Sequence, residues 1–376
     1  MFHLIFGFPW LVVVLRFILP LPWVWTAKVG LALVLLLASQ YHMVAKLSSG
    51  SVFSPEFPRP FILMFNVAFG AILLLMVFQL LLDVVSLALL AVRGHFPAVP
   101  ATLRYAMGVT ALALAGFGVS QAVRVPPIKD IDIAIADLPP AFDGYKIVQL
   151  TDLHISRLFP AAWTERVVTR ANGLDVDLIL MTGDLIDGRV EDRRLDVEPL
   201  LKLHARDGIY AVPGNHEYFF GYPQWMQEYE RLKLRPLINS HTALERGTDR
   251  LMIAGVTDVS APATGFPGPN VAAAIRGAPE RVPVILMDHQ PREADKTAKL
   301  NIALQLSGHT HGGMIIGFDR ILALFNNGFV SGLYQVGAMQ LYVNNGTALW
   351  PGFALRLGKP AELTRITLRR APTGNQ

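Results

Sequence analysis

Two hydrophobic patterns divide the chain near residue 124. Before it, apolar residues run on with few interruptions; after it, they come in short bursts that stop at glycine or at clusters of Asp, His and Asn. "VGLALVLLLASQYHMVA" lies uncharged between Lys28 and Lys46, and "PFILMFNVAFGAILLLMVFQLLL" between Arg59 and Asp83. Both approach or reach the roughly 20 apolar residues that a helix needs to cross a bilayer's hydrocarbon core. "YAMGVTALALAGFGVSQAV" at 105–123 is a third run. "MFHLIFGFPWLVVVLRFILPLPWVW" is a fourth, weakened by Arg16 and three prolines. A cleaved leader explains only one such segment, so the repeated runs predict a helical transmembrane anchor over residues 1–123 with four spans.

Residues 124–140, within "VPPIKDIDIAIADLPPAFDGYK", combine proline pairs with the alternating "IDIAIA", the pattern of a linker and an edge strand. From 141 to 376 the bursts read as strands. "KIVQL" runs into Asp152 and His154, "DLILM" into Asp184, "GIYAV" into Asn215 and His216, "VPVILM" into His289, and "IALQL" into the His309 and His311 of "SGHTHGG". Amphipathic segments such as "AAWTERVVTRANGL" and "VEPLLKLHA" lie between some of them with helical period. Strands alternating with helices predict an α/β domain, and in open α/β sheets ligands bind beyond the carboxyl ends of the strands. Five strand ends therefore deliver Asp, His or Asn to one address.

The chain is 52% hydrophobic and 16% charged, more apolar than an average soluble protein, and the excess sits before residue 124. Residues 1–122 hold six basic and two acidic side chains; the remaining 27 basic and 27 acidic groups cancel. The net charge of +4 thus belongs to the anchor, and no nucleic-acid footprint is present. Basic residues fall on both sides of the apolar runs, so loop charge does not orient the anchor. The absence of cysteine excludes disulfides, thiolate metal sites and cysteine nucleophiles.

Carboxylate oxygen, imidazole nitrogen and an amide oxygen, without sulfur, suit a pair of hard or borderline divalent ions. Taken singly, "DLH" also reads as a capping Asp beside a surface His, "GD" as a turn, and Asn215 as a turn residue. The aromatic "EYFFGYPQW" after "GNH" and the apolar "MIIGFDRILALF" after "GHTH" read equally as core packing or as an approach surface for a membrane-bound substrate.

Together, "DLH", "GDLID", "GNHE", "DHQP" and "GHTHGG", in this order, resemble the motifs of the calcineurin-like metallophosphoesterases. The stretches "LPPAFDGYKIVQLTDLH" and "GLYQVGAMQLYVNNGTALWPGFALRLGKPAELTRITL" resemble the membrane-anchored branch of that superfamily, some of whose members cleave lipid-linked phosphodiesters or UDP-2,3-diacylglucosamine. The resemblance implies a four-layer α/β/β/α sandwich over 141–376, following the transmembrane helices. It also implies a centre of two divalent metal ions (Mn, Fe or Zn). By motif, Asp152, His154 and His311 correspond to ligands of one ion and Asn215, His289 and His309 to ligands of the other, with Asp184 between them. His216 corresponds to the catalytic residue beside the leaving group. Glu217 stands where Asp is commoner, and Met314 where Gln often follows "GHTHGG". The implied activity is hydrolysis of a phosphodiester or pyrophosphate bond, with a lipid bilayer and a phosphorylated, lipid-linked substrate as partners. The implied location is multi-pass in a bacterial inner membrane. Two other readings stay open at this point: a phosphodiesterase or phosphatase for soluble nucleotides, and a non-catalytic metal-binding membrane scaffold.

Overall fold

The computed structural model describes residues 2–371, and side chains from Phe6 onward; the last five residues of the expected 141–376 domain lie outside the described residues. The chain forms two compact units: Met1–Val123 together with Trp350–Leu357, and Arg124–Leu349 together with Gly358–Gln376.

In the helical unit, Arg59–Arg93 and Ala101–Ala122 are long and apolar enough to cross a membrane. Trp25–Ser39 and Tyr41–Ser49 bend by 51° about Gln40 and make a third span only if taken as one. The first apolar run yields the shorter helix Phe6–Ile18, so among the described residues two or three helices meet the length and composition of a span where four are expected. Pro9 lies inside that first helix, and Pro20 and Pro22 follow it, each removing a backbone donor. Its charge is paired: Arg16 Nη2 and Nε donate to the two Asp83 oxygens at 2.9 and 3.1 Å, and Gln79 Nε2 donates to Asp83 Oδ1 at 2.8 Å.

Trp350–Leu357 belongs to the helical unit through specific contacts. Pro351 O accepts from Tyr41 Oη at 3.1 Å and Asn66 Nδ2 at 2.8 Å, while Asn66 Oδ1 accepts from Ala354 N at 2.7 Å. Leu355 packs where a Cβ on Gly118 would lie 2.6 Å from its Cδ1.

Among the described residues, the second unit contains twelve strands. They are β1 (Ile128–Ile135), β2 (Lys146–Leu150), β3 (Leu178–Thr182), β4 (Ile209–Val212), β5 (Arg235–Pro236), β6 (Ser240–Arg246), β7 (Asp249–Gly255), β8 (Val284–Met287), β9 (Leu304–Ser307), β10 (Gly332–Val336), β11 (Met339–Val343) and β12 (Leu363–Arg370). One sheet has the order β1-β12-β2-β3-β4-β5 and the other β10-β11-β9-β8-β7-β6. Strands β2 to β5 are parallel, as are β7, β8, β9 and β11, so each sheet gathers its ligand-bearing strand ends on one edge.

Alternation along the strands builds the layers. Leu178 and Leu180 of β3, Leu251 and Ile253 of β7, and Ile285 and Met287 of β8 meet in one core between the sheets. Their neighbours Met252, Ala254, Val284 and Leu286 face a second core that takes in Ala274 and Ala294 from helical segments. Ile179 and Val148 are equally buried, so the first sheet is covered on its outer face too. The result is the expected α/β/β/α sandwich, with each fully buried Leu or Ile contributing about 1.5–3 kcal/mol of transfer free energy. "AAWTERVVTRANGL" forms the helix Ala161–Asn172. "VEPLLKLHA" reaches only a 3-10 turn, Glu198–Lys202, because Pro199 suits no more than a first helical turn.

Candidate metal centre

The five strand ends converge. Asp152 and His154 follow β2, Asp184 follows β3, Asn215 and His216 follow β4, His289 follows β8, and His309 and His311 follow β9. Ligand-type atoms of Asp152, His154 and His311 lie within 4.8 Å of one another, as do those of Asp184, His289 and His309, and those of His154, Asp184 and His216. Asn215 sits between Gly214 and His216; His216 N donates to Asp184 Oδ1 at 2.9 Å, and the Asn215 Oδ1 is buried with no hydrogen-bond partner among the described residues. Seven of the eight residues singled out in the sequence thus bring ligand-type atoms into these groups, and Asn215 is buried in the chain directly beside His216.

The backbone bends sharply to bring them there. Asp152, His154, Asp184, His309 and His311 have φ of 53°, 43°, 52°, 68° and 51°, in the left-handed region that L residues rarely adopt. Such conformations cost of order 1–3 kcal/mol each and persist where the surroundings over-determine them. Glycines make the room. A Cβ on Gly308 would lie 2.2 Å from Asp152 Oδ2, one on Gly214 2.2 Å from Asp184 Oδ1, and one on Gly346 2.8 Å from His311 Nδ1.

Hydrogen bonds then aim the ligand atoms. Asp152 Oδ2 accepts from Thr151 Oγ1 at 2.8 Å and from His309 N at 3.1 Å. His289 Nδ1 lies 2.8 Å from Thr182 O, which can only accept, so Nδ1 carries the proton. Nε2 then presents a lone pair 3.2 Å from Asp184 Oδ2, a repulsive arrangement unless a proton or a metal cation stands between them. His154 Nε2 and His311 Nε2 approach to 3.3 Å, with Asp152 Oδ1 3.8 and 3.6 Å away. Without a cation, burial drives the Asp152 carboxyl above its ordinary range, with His289 opposing and Asp184 adding to the shift. Converging lone pairs, the two buried carboxylates of Asp152 and Asp184 and an unsatisfied amide oxygen fit divalent cations bound by N and O donors.

Asp187, quoted within "GDLID" but given no role by sequence reasoning, ties the site together. Its Oδ1 makes a short hydrogen bond with His216 Nδ1, and its Oδ2 lies 3.1 Å from His154 Nδ1. It thereby orients a candidate ligand and the candidate catalytic imidazole at once. Burial alone would push the His216 imidazole down; the carboxylates of Asp184 and Asp187 outweigh it and lift it to about 9, and a cation on Asp184 would counteract that lift. Glu217 accepts from the backbone N–H of Gly214, Asp184 and Leu185 at 2.6, 3.1 and 2.7 Å, so its extra methylene serves to brace two turns of the site. Met314 is buried.

The two apolar stretches beside the motifs separate. Tyr218, Phe220 and Trp225 of "EYFFGYPQW" are buried, and only Phe219 is exposed among its large hydrophobics; "MIIGFDRILALF" is largely exposed after Ile315.

Stacked mixed sheets whose strand ends pool imidazoles and carboxylates define a metallophosphoesterase-type sandwich. A family model described as calcineurin-like phosphoesterase matches residues 145–313. A "Transmembrane protein with metallophosphoesterase domain" of Danio rerio is 33% identical over 275 residues, 71% of this chain and 62% of that protein, so the chain spans less than two thirds of that relative. An "Uncharacterized metallophosphoesterase" of Helicobacter pylori is 31% identical over 262 residues, 68% of each chain. The "Uncharacterized metallophosphoesterase YkuE" of Bacillus subtilis is 31% identical over 264 residues, 68% of this chain and 90% of that protein. The chain belongs to the calcineurin-like metallophosphoesterases.

Proposed function

We propose that the chain is a membrane-anchored, two-metal phosphoesterase that hydrolyses a phosphodiester or pyrophosphate bond of a lipid-linked substrate. The observation that carries the reading is the pair of ligand groups, one around Asp152 and one around His289, with Asp184 among the second and reaching toward His154 of the first. Asp152, His154 and His311 would hold one ion, Asn215, His289 and His309 the other, and Asp184 both. When bound, such ions lower the pKa of water and neutralise phosphoryl oxygens during in-line attack. Mn, Fe or Zn would suit a set of imidazole, carboxylate and amide donors.

The chain's own residues supply the rest. His216, with Nδ1 held by Asp187, presents Nε2 to the site, 3.9 Å from Asp184 Oδ2. From there it would deliver a proton to the leaving oxygen as the P–O bond breaks, while the attacking water's oxygen joins phosphorus and that water's proton passes to solvent. The lipid-linked class is supported by the apolar helices on the same chain and by the transmembrane name of the fish relative. A multi-pass place in a bacterial inner membrane belongs to this same reading.

The test is metal analysis and turnover of wild type and Asp184→Asn on p-nitrophenyl diesters, nucleotides and lipid headgroup esters. Asp184→Asn is expected to lose activity and bound metal together. Wild-type turnover in the variant would sink the two-metal reading, and faster cleavage of soluble nucleotides than of any lipid would replace the lipid substrate by a nucleotide.

A further inference from the structure

Ten large hydrophobic side chains after Arg124 are exposed among the described residues, and five of them fall within ten residues: Ile316, Phe318, Ile321, Leu324 and Phe325. Leu324 and Phe325 are 81% and 69% exposed. A soluble surface scatters such residues singly, whereas a cluster marks an interaction site. The cluster runs from Ile316, just before the helix Phe318–Ala323, along that helix and into the turn after it. That helix starts directly against the turn that carries His311: a Cβ on Gly313 would lie 2.5 Å from Asp319 Cα.

Charge at the rim narrows the occupant. Arg292, Glu293, Asp295, Lys296 and Asn327 share a cleft with Leu324 and Phe325. The acids there are engaged: Glu293 pairs with Lys296, Asp295 accepts from Asn327, and Asp319 of the helix pairs with Lys359 at 2.9 Å. Arg292 and Arg320 are exposed and make no ion pair among the described residues. Large apolar side chains flanked by uncompensated arginine match the boundary between anionic headgroups and acyl chains.

We propose that residues 316–325 dock on a lipid bilayer, with Leu324 and Phe325 inserted at the headgroup boundary and Arg292 and Arg320 on anionic headgroups. The docking goes beyond the hydrolytic reading and does not depend on it, since a docked enzyme could act on soluble or on lipid esters.

The chain contains no cysteine, so one introduced thiol gives a single labelling site. The full chain carrying Leu324→Cys or Phe325→Cys, labelled with an environment-sensitive fluorophore, is reconstituted into phosphatidylcholine–phosphatidylglycerol vesicles containing doxyl-labelled phosphatidylcholine. Leu195→Cys is the control, on another exposed leucine of the same unit, 82% exposed. Quenching at 324 and 325 is expected to exceed that at 195 roughly threefold, as for side chains held at the acyl boundary. Equal quenching at the three positions overturns the proposal. So does a label at 324 that is shielded in detergent because two copies of the chain associate through it, seen as a thiol-crosslinked dimer of the unlabelled Leu324→Cys chain. The readout is depth, not turnover, so its failure is separable from failure of the proposed chemistry.

Discussion

His216 is the residue where two chemical roles compete. Its imidazole lies close enough to His154 and Asp184 to complete a ligand group, yet its Nδ1 is committed to Asp187. A proton donor and a ligand respond differently to replacement. If it protonates the leaving oxygen, His216→Gln keeps bound metal and loses turnover by a factor of about 100 or more, and the loss shrinks for substrates with good leaving groups. Metal loss, or an equal deficit across leaving groups, would return His216 to a structural or ligand role. Asp187 should behave otherwise, because it orients both His154 and His216. Asp187→Asn is expected to weaken metal binding about 10- to 100-fold as well as slow turnover, measured by titration with a competing chelator. The seven residues that come together in the structure were legible in the sequence because each stands in a short motif at the end of an apolar burst. Asp187 stands in one of those motifs too, but a carboxylate that touches imidazoles rather than an ion has no spacing rule to reveal it.

At the scale of the element, the centre depends on tight turns more than on the strands that lead to them. The strands were readable from alternation, since "DLILM" and "VPVILM" become β3 and β8. The turns were readable only as glycine-rich, and the left-handed backbone at five candidate ligands was not, because Asp and His carry no positional mark of positive φ. Nor was the sixth contributing strand end. After β11, Gly346 leaves room for His311, and Thr347 N and Ala348 N donate to Thr151 O and Asp152 O at 2.9 Å. In "NNGT" that role is indistinguishable from an ordinary turn. Gly214→Ala tests the element directly. Its Cβ would fall 2.2 Å from Asp184 Oδ1, so metal affinity should drop at least about tenfold, the usual penalty for displacing a group that orients a ligand. Gly247→Ala, at φ 63° with nothing within 4 Å, should cost about 1 kcal/mol of stability and leave metal affinity unchanged. Equal effects from the two substitutions would mean that Gly214 is a turn residue only.

For the whole molecule, the hydrophobic pattern suggests an anchor that ends at residue 123 and a domain that can be cut away from it. Among the described residues two or three helices have the length and composition of a span against the four apolar runs of the sequence, because proline, a charge and a bend at Gln40 interrupt runs that composition alone treats as continuous. The cut is also less clean than it looks. Trp350–Leu357 belongs to the helical unit, where Ala354 and Leu355 are buried and Pro351 O is held by Tyr41 and Asn66. Nothing in "WPGFALRL" distinguishes it from a loop of the catalytic domain, since its partners Asn66, Gly70 and Gly118 lie more than two hundred residues earlier. Removing residues 1–123 would return the buried Leu355 to water, at about 1.5–3 kcal/mol for a fully buried side chain, and would further uncover the half-buried Phe353 and Trp350. It would do so on a remainder with 27 basic and 27 acidic groups, and a protein near zero net charge has little repulsion to oppose association. A chain beginning at Arg124 is therefore expected to elute as aggregate in size-exclusion chromatography. The same chain carrying Trp350→Ser, Phe353→Ser and Leu355→Ser is expected to elute as a single discrete species and to bind metal. If the unmodified truncation already elutes as that species, the segment's burial in the helical unit contributes nothing to holding the chain in solution.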